Sequence, residues 1–459
     1  MHNNTKKWNE IEKNFGQEQG LPFMEALPEK EIRDVLAEER VTYRQRVFTP
    51  IIVIWAFLSQ IFDRDSSDRK SAARVLAFLV AQQQQIFSAT AGGYCRAKHR
   101  LKTSIWARLV RGIGKKSSDM ARPEDLWLGR KVKTFDGSSL VLQDTPENQS
   151  KYPKWQNQHG TCSFPIARWA VLFCLSTGAV LEMYLEPMNV SERVLFRRFY
   201  NSLSRDDVVL GDRGTCSFYD MALLIPRGVD AVLRLHATRK VDFSQGIRLG
   251  RRDHIVAWDK PTFDASKNAL SRQDYDSLVH RIWIRELEII VEKPGFRTKK
   301  VLLATTLTDP DVYTKEDLAQ LYFRRWEAEV NLRHLKTTLK MEMLKSKSPE
   351  MACKEVWAHL LLYNLIRRVM WNAGTRHNVQ PLRISFKGTI DRICVFLPQL
   401  TAASIRKKKT LYELLLWTIS QDILPRREGR IYQRCIKRRP KAYPWMTKSR
   451  SEYRASVLN

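Results

Sequence analysis

Apolar residues recur along this chain with two different periods, and the changes between them divide it. Up to about residue 125 the spacing is helical. "SAARVLAFLVAQQQQ" predicts one helix, "SATAGG" a small-residue break, and "YCRAKHRLKTSIWARLVRGIGKK" a second, strongly basic helical stretch. Helix, glycine-containing turn and basic helix is the outline of a helix-turn-helix, although plain helical hairpins share it. From about residue 128 the period shortens. "RKVKTFDGSSLVLQD" predicts strand, turn and strand; "IARWAVLFCLSTGAVLEMYLEPM" predicts a hairpin turning at Thr177-Gly178. "SERVLFRRFYNSL" is an amphipathic helix, "DDVVLGDRG" a short buried strand stopping at Asp212, and "FYDMALLIPRG" opens another helix. "DAVLRLH", "IRLGRRDHIVAW", "HRIWIRELEIIV" and "KKVLLATTL" then read as successive strands. Long helical patterns return at "LYFRRWEAEVNLRHLKTTLK", "KEVWAHLLLYNLIRRVMW" and "SIRKKKTLYELLLWTISQDI". Strands interleaved with helices place the middle of the chain in the α/β class.

The first of those late helices is the most informative. Thr314 and Asp317 form an acidic variant of a capping box, with Tyr313 and Leu318 placed as a hydrophobic staple. No Pro or Gly intervenes from Lys315 to Ser346, which predicts one long helix. Wound at about 100° per residue, Tyr322, Arg325, Glu329 and Lys336 share an arc of roughly 60° and a length of about 21 Å. Leu321, Leu332, Leu335 and Leu339 flank this seam on one side; Phe323, Trp326 and Val330 flank it on the other. That pattern predicts a helix gripped on both sides, with a polar seam in a crevice. The competing reading is an ordinary Arg325–Glu329 pair on a surface helix.

Charge narrows the function. The 459 residues carry 78 Lys+Arg against 49 Asp+Glu, a formal net charge of +29. A surface that positive seeks a polyanion, with nucleic acid ahead of an anionic membrane. The most apolar runs, "IIVIWAFL" and "WAHLLLYNLI", fall short of the ~20 residues a membrane span needs. The N-terminus has no apolar signal core, so a cytoplasmic location is expected. Residues 426–454 hold eleven Lys/Arg and two Glu, among them Tyr432, Tyr443 and Trp445. The seven cysteines are scattered without a C-x-x-C pair, and the nine histidines form no H-E-x-x-H pattern, which argues against a disulfide framework or a zinc site.

Three carboxylates remain. Asp136 in "KTFDGSS" and Asp212 in "VVLGDRG" are expected at strand ends, and Glu329 lies on the polar seam. Hard oxygen ligands of this kind suit Mg²⁺, and two such ions serve phosphodiester chemistry by activating one oxygen and stabilising the other. Each Asp taken alone also reads as a turn cap. Asp144 in "LQDTPEN" competes as first acid but lies in a turn-like segment.

The spacing Tyr322-x2-Arg325-x3-Glu329-x6-Lys336 resembles the Tyr-Arg-Glu-Lys signature of DDE transposases of bacterial insertion sequences, in the family numbered four. "TFDGSS" and "VVLGDRG" resemble that family's two aspartate motifs, and a β-rich block between the second Asp and the Glu is also similar. "DTPENQ", "FPIAR" and "KRRPKAYP" resemble one subgroup, and the likeness covers roughly residues 45–450. It implies a ribonuclease-H-like catalytic core split by a β-rich insertion, between helical N- and C-terminal regions. The expected boundaries are 1–125 (helical, basic, DNA-binding), 126–228 (first part of the core), 229–310 (insertion), 311–390 (second part, bearing the Glu) and 391–459 (helices and basic tail).

The resemblance further implies that Asp136, Asp212 and Glu329 bind Mg²⁺ (with Mn²⁺ as substitute, two ions expected) and that Tyr322, Arg325 and Lys336 hold DNA. It implies a dimer pairing two transposon ends, hydrolysis at each end, and joining of the 3′-OH to double-stranded target DNA in the bacterial cytoplasm. Some members pass through a DNA hairpin and stack a flipped base on a tryptophan of the insertion; Trp258 and Trp283 both lie there. The alternatives are a metal-dependent nuclease on the same core and an inactive DNA-binding relic.

Overall fold

A computed structural model describes residues 2–19, 22–44, 46–63, 67–85, 88–157, 160–236, 239–264, 270–290, 300–425, 445–446, 452 and 455–456. The chain divides into two compact units. Residues 1–120, 177–181 and 333–425 form a helical unit; residues 121–176, 182–332 and 426–459 form a unit built on a sheet.

The sheet unit starts from β1 (Val132–Val141), β2 (Lys154–Asn157), β3 (Gly160–Cys174) and β4 (Val180–Pro187), whose first two residues fall in the helical unit. It continues through β5 (Val208–Gly211), β6 (Asp230–Arg234), β7 (Ile247–Gly250), β8 (Asp253–Asp259), β9 (Arg281–Ile290) and β10 (Lys300–Thr305), with a two-residue β11 (Trp445–Met446). The central path is β3, β1, β5, β6, with β4 paired to β3 off this path. β1 is antiparallel to β3 and parallel to β5, and β5 is parallel to β6. β6 then pairs antiparallel with β10, and β9, β8 and β7 extend the same sheet. The β-rich stretch therefore grows from the edge of the central sheet, and its antiparallel excursion runs from β7 to β9.

Parallel strands are buried on both faces, and β5 reads as a continuous apolar run for that reason. Val208, Leu210, Val232, Leu287, Leu303 and Leu321 meet in one core cluster, each buried. Burying such a side chain contributes about 1.5–3 kcal/mol relative to leaving it exposed.

The region expected as strand, turn and strand around Asp136 is one continuous strand. Gly137 pairs with Ala170 of β3, so the ladder passes through it without a turn. The hairpin turn at Thr177-Gly178 is present, with Gly178 at φ +70°, a left-handed conformation that suits a residue lacking Cβ. "IRLGRRDHIVAW" folds into two strands, β7 and β8, rather than one.

The helical unit contains α1 (His2–Gln19), α2 (Glu29–Glu38), α3 (Pro50–Phe62), α4 (Asp68–Ala81), α5 (Gly92–Arg100) and α6 (Thr103–Asp119). The second basic stretch is thus two helices, interrupted at Leu101 and Lys102. The helix Pro349–Arg376, capped by the Ser348 side chain accepting from Met351 N, is buried along most of its length and packs on α3, α6 and the helices Phe386–Ala402 and Ile405–Ser420. Buried Asn364 satisfies the backbone of the turn segment in this unit: Val180 N donates to its Oδ1, and its Nδ2 donates to Val180 O and Val110 O.

The single helix expected from Lys315 to Ser346 is segmented. It runs Lys315–Arg324, tightens at Arg325, resumes as Trp326–Arg333, and closes with a π turn at His334–Thr338. At Arg325 the bonds are i to i−3: Arg325 N donates to Tyr322 O and Ala328 N to Arg325 O, both at 3.1 Å. Lys340 at φ 57° ends the turn in the left-handed region.

Candidate active site

The β1–β5 register places the first two acids. The last parallel partners are Thr134 and Leu210. Two residues further along each strand lie Asp136 and Asp212. Partners in a parallel ladder point to the same face, and a step of two preserves that face. Crevices for ligands form at such carboxyl ends of parallel strands. Asp136 lies within β1 and not at its end as expected, but it lies just past the end of the pairing with β5.

Local bonds orient both side chains. Gly137 N donates to Asp136 Oδ1 at 2.8 Å. Arg213 N donates to Asp212 Oδ1 at 2.7 Å, and Thr215 Oγ1 donates to Asp212 O at 2.8 Å, so Asp212 caps a short 3₁₀ turn over Arg213–Thr215. A capping role and an exposed carboxylate coexist there, because each Asp has two oxygens.

The third acid comes from the segmented helix. Thr314 caps it by accepting from Asp317 N at 3.1 Å, and Tyr313 packs against the core cluster that contains Leu318. Arg325 Nη2 donates to Glu329 Oε1 at 2.7 Å. Leu321 and Leu332 are buried as the pattern predicts, but Trp326 is 51% exposed. Within the sheet unit the helix is gripped on its leucine side, and on the other flank Phe323 packs against the core cluster while Trp326 opens to solvent. Tyr322 is buried, and burial pushes its phenol above the ordinary range, with the charge of Asp212 adding to the rise. Lys336 lies in the π turn and belongs to the helical unit.

Electrostatics tie the acids together. Burial, with the charges of Glu329 and Glu192 adding to it, pushes Asp136 up to about 6 against the Gly137 hydrogen bond and the charge of Arg325. Burial by itself lowers the Arg325 pKa, but the hydrogen bond to Glu329 and the charges of Tyr322, Asp212 and Glu329 outweigh it, and the net shift is upward. Arg325 thus feels Asp212 and Glu329, and Asp136 feels Arg325 and Glu329. Among the described residues, no three His, Cys, Asp or Glu side chains close into a ligand cage. Of the three acids, Glu329 alone pairs directly with the Arg325 guanidinium. Asp144 stands apart as a structural acid, paired with Lys154 at 2.9 Å and accepting from Gln149.

Glu192 is the residue the sequence did not single out. Helix periodicity and motif spacing mark it only as a first-turn acid; its place beside Asp136 comes from tertiary approach. The two tryptophans also separate. Trp258 is buried, donates from Nε1 to Glu286 at 2.7 Å, and lies beneath the Arg239 guanidinium at 3.7 Å. Trp283 is 56% exposed on β9.

A family model described as "Transposase DDE domain" matches residues 127–365. The chain is 23% identical over 427 residues to the transposase InsG for insertion sequence element IS4 of Escherichia coli (strain K12), covering 91% of each protein. Over 66 residues, 14% of this chain and 18% of the relative, it is 39% identical to the transposase for insertion sequence element IS421 of Escherichia coli. A piggyBac transposase synaptic complex with hairpin DNA superposes with a TM-score of 0.39 and 11% identity, covering 91% of this chain and 86% of that one.

Proposed function

Because the chain belongs to the transposase DDE domain family and is a DNA transposase, we propose that Asp136, Asp212 and Glu329 are its catalytic carboxylates and that Arg325 and Tyr322, with Lys336, hold the phosphates of the transposon end. One observation carries this reading: the β1–β5 register sets Asp136 and Asp212 on one face at the carboxyl ends of parallel strands, and Arg325, paired with Glu329 at 2.7 Å, is the cation whose charge acts with both. The strand path β3-β1-β5-β6, with β4 also paired to β3 and with β1, β5 and β6 parallel, supports a ribonuclease-H-like core.

The donor set fits a hard divalent cation. Asp136 is elevated chiefly by burial, with the charges of Glu329 and Glu192 adding to the rise, and a cation held at this carboxylate would offset both. Mg²⁺ needs only one or two protein carboxylates when substrate phosphate and water complete its shell, so an open arrangement is compatible with it. Two ions bound by Asp136, Asp212 and Glu329 would supply Lewis-acid chemistry at the scissile phosphodiester. Arg325, released from part of its pairing with Glu329, grips a phosphate with its planar fork, and Lys336 offers a point charge. Tyr322 orients Arg325 and presents its hydroxyl. These contacts position the backbone without reading sequence.

The substrate is double-stranded DNA. In the helical unit, Arg44, Arg46, Arg96 and Arg100 line a cleft with Trp8 and Tyr43, a surface suited to phosphates. The reaction sequence is hydrolysis at each transposon end followed by attack of the freed 3′-OH on target DNA, within a dimer that pairs the two ends. No helix among the described residues is long and apolar enough to cross a membrane, and DNA in the bacterial cytoplasm is the proposed place of action. The test is strand transfer: purified protein, Mg²⁺, DNA ending in the inverted repeats that flank its gene, and a supercoiled target. Joined products are expected; hydrolysis without joining would favour a nuclease instead.

A further inference from the structure

Glu192 opens the helix Glu192–Arg198 behind Ser191, whose hydroxyl accepts from Val194 N. An acid in a first turn is favourable on its own, because it faces the positive end of the helix dipole. That accounts for the residue type but not for where the carboxylate lies. A Cβ at position 137 would fall 3.0 Å from Glu192 Oε1, and a Cβ at position 214 would fall 3.8 Å from Oε2. The two oxygens therefore rest against Gly137, the residue after Asp136, and Gly214, two residues after Asp212. Arg193 fastens the same spot, donating from Nε to Gly214 O at 2.9 Å. Arg168 Nη1 lies 3.6 Å from Glu192 Oε1, while its Nη2 donates to Met188 O at 3.1 Å.

We propose that Glu192 is a positioning residue of the catalytic centre: its carboxylate spans the backbones that carry Asp136 and Asp212, and it adds a fourth negative charge to the face that takes the divalent cation. This rests on the assignment of Asp136, Asp212 and Glu329 as the metal-binding acids. A side chain at 137 would press on the carboxylate, whereas one at 214 would meet it at ordinary van der Waals distance. The side chain of Glu192 is half exposed, so water screens its field. Partners just outside a metal's ligands typically change affinity by about 10–100-fold, and screening places Glu192 at the lower end.

Mn²⁺ is the probe, bound to the full-length protein without DNA, with free Mn²⁺ counted by electron paramagnetic resonance. Glu192→Gln keeps the shape and removes the charge. It is expected to weaken Mn²⁺ binding by roughly tenfold with an unchanged Tm, and to raise the Mg²⁺ concentration for half-maximal end cleavage by a similar factor. Glu192→Asp should restore part of the affinity. Asp136→Asn is the reference. If Asp136→Asn weakens Mn²⁺ binding and Glu192→Gln does not, the role of Glu192 is overturned and the triad stands. If neither changes it, both fall. Glu192→Gln carries the test whether or not Glu192→Ala folds.

Discussion

Arg325 holds Glu329 at 2.7 Å, one turn apart on a helix that tightens at the arginine itself. The pair is a surface motif by sequence, yet the Arg325 side chain is only 18% exposed and its charge also feels Asp212. An exposed i,i+4 pair is worth about 0.3–0.5 kcal/mol. That small loss, with no catalytic phenotype, is what an ordinary surface pair would show; Arg325→Ala is instead expected to abolish assembly or cleavage of the paired-end complex without unfolding the protein. Arg325→Lys should also be harmful, because an ammonium lacks the planar fork. Tyr322→Phe should be milder, losing one hydroxyl contact worth ~1 kcal/mol, and Lys336→Ala should impair end binding. Melts and end-cleavage assays on the same variants decide it; normal cleavage by Arg325→Ala reduces the seam to a salt-bridged face.

Removing the acids one at a time gives the sharpest catalytic result. Asp136→Asn, Asp212→Asn and Glu329→Gln should each bring Mg²⁺-dependent end cleavage to background while DNA affinity stays largely intact. Gel-shift and cleavage assays run in parallel test this. A variant that cleaves near the wild-type rate is not a member of the triad.

Asp136 also makes a pH prediction. Its folded-state pKa of about 6 lies above the ordinary 3.8, so the folded protein holds this proton more tightly than the unfolded chain does. The stability it contributes is full below about pH 4 and is lost as pH rises through 6, on the order of 1–3 kcal/mol. Asp136→Asn should therefore raise the Tm of the metal-free protein at pH 8 and leave it near wild type at pH 4. Cleavage by the wild type should fall as pH drops below 6, since the proton competes with the cation.

The two tryptophans of the insertion should part company. Trp258→Ala removes a buried ring that donates to Glu286, and large-to-small changes of this kind cost about 3–5 kcal/mol. Trp283→Ala should leave the Tm unchanged and weaken binding of end DNA, by about 1–3 kcal/mol if a base stacks there. Equal DNA affinity for wild type and Trp283→Ala rules out stacking at that ring.

The basic tail at 426–454 lies almost wholly outside the described residues. Its eleven Lys/Arg should still register in salt dependence, because each phosphate contact releases condensed counterions. Truncation after Pro425 is expected to flatten the slope of log affinity against log salt. An unchanged slope would place the non-specific contacts elsewhere.

Periodicity alone determined most elements here: the alternation of β3 and β4 about Gly178, the apolar run of β5, and the Thr314 cap all follow from local rules. The signature Tyr322-Arg325-Glu329-Lys336 was legible for the same reason, since spacing on a helix is a local property. Tertiary structure decided what local rules leave open. "KTFDGSS" looked like a turn because Asp-Gly favours one, but pairing with β3 on one side holds it extended through Gly137. Helix winding predicted two gripped flanks; Phe323 on the second does pack against the core, whereas Trp326 is exposed, and only the tertiary packing separates the two. The helix itself was expected unbroken, and i to i−3 bonding at Arg325 plus a π turn at His334 re-phase it without any Pro or Gly. Most of all, the shared face of Asp136 and Asp212 depends on strand register, and the place of Glu192 beside Gly137 and Gly214 depends on how its helix docks. Those are distances between segments remote in sequence, and no periodicity within a segment encodes them.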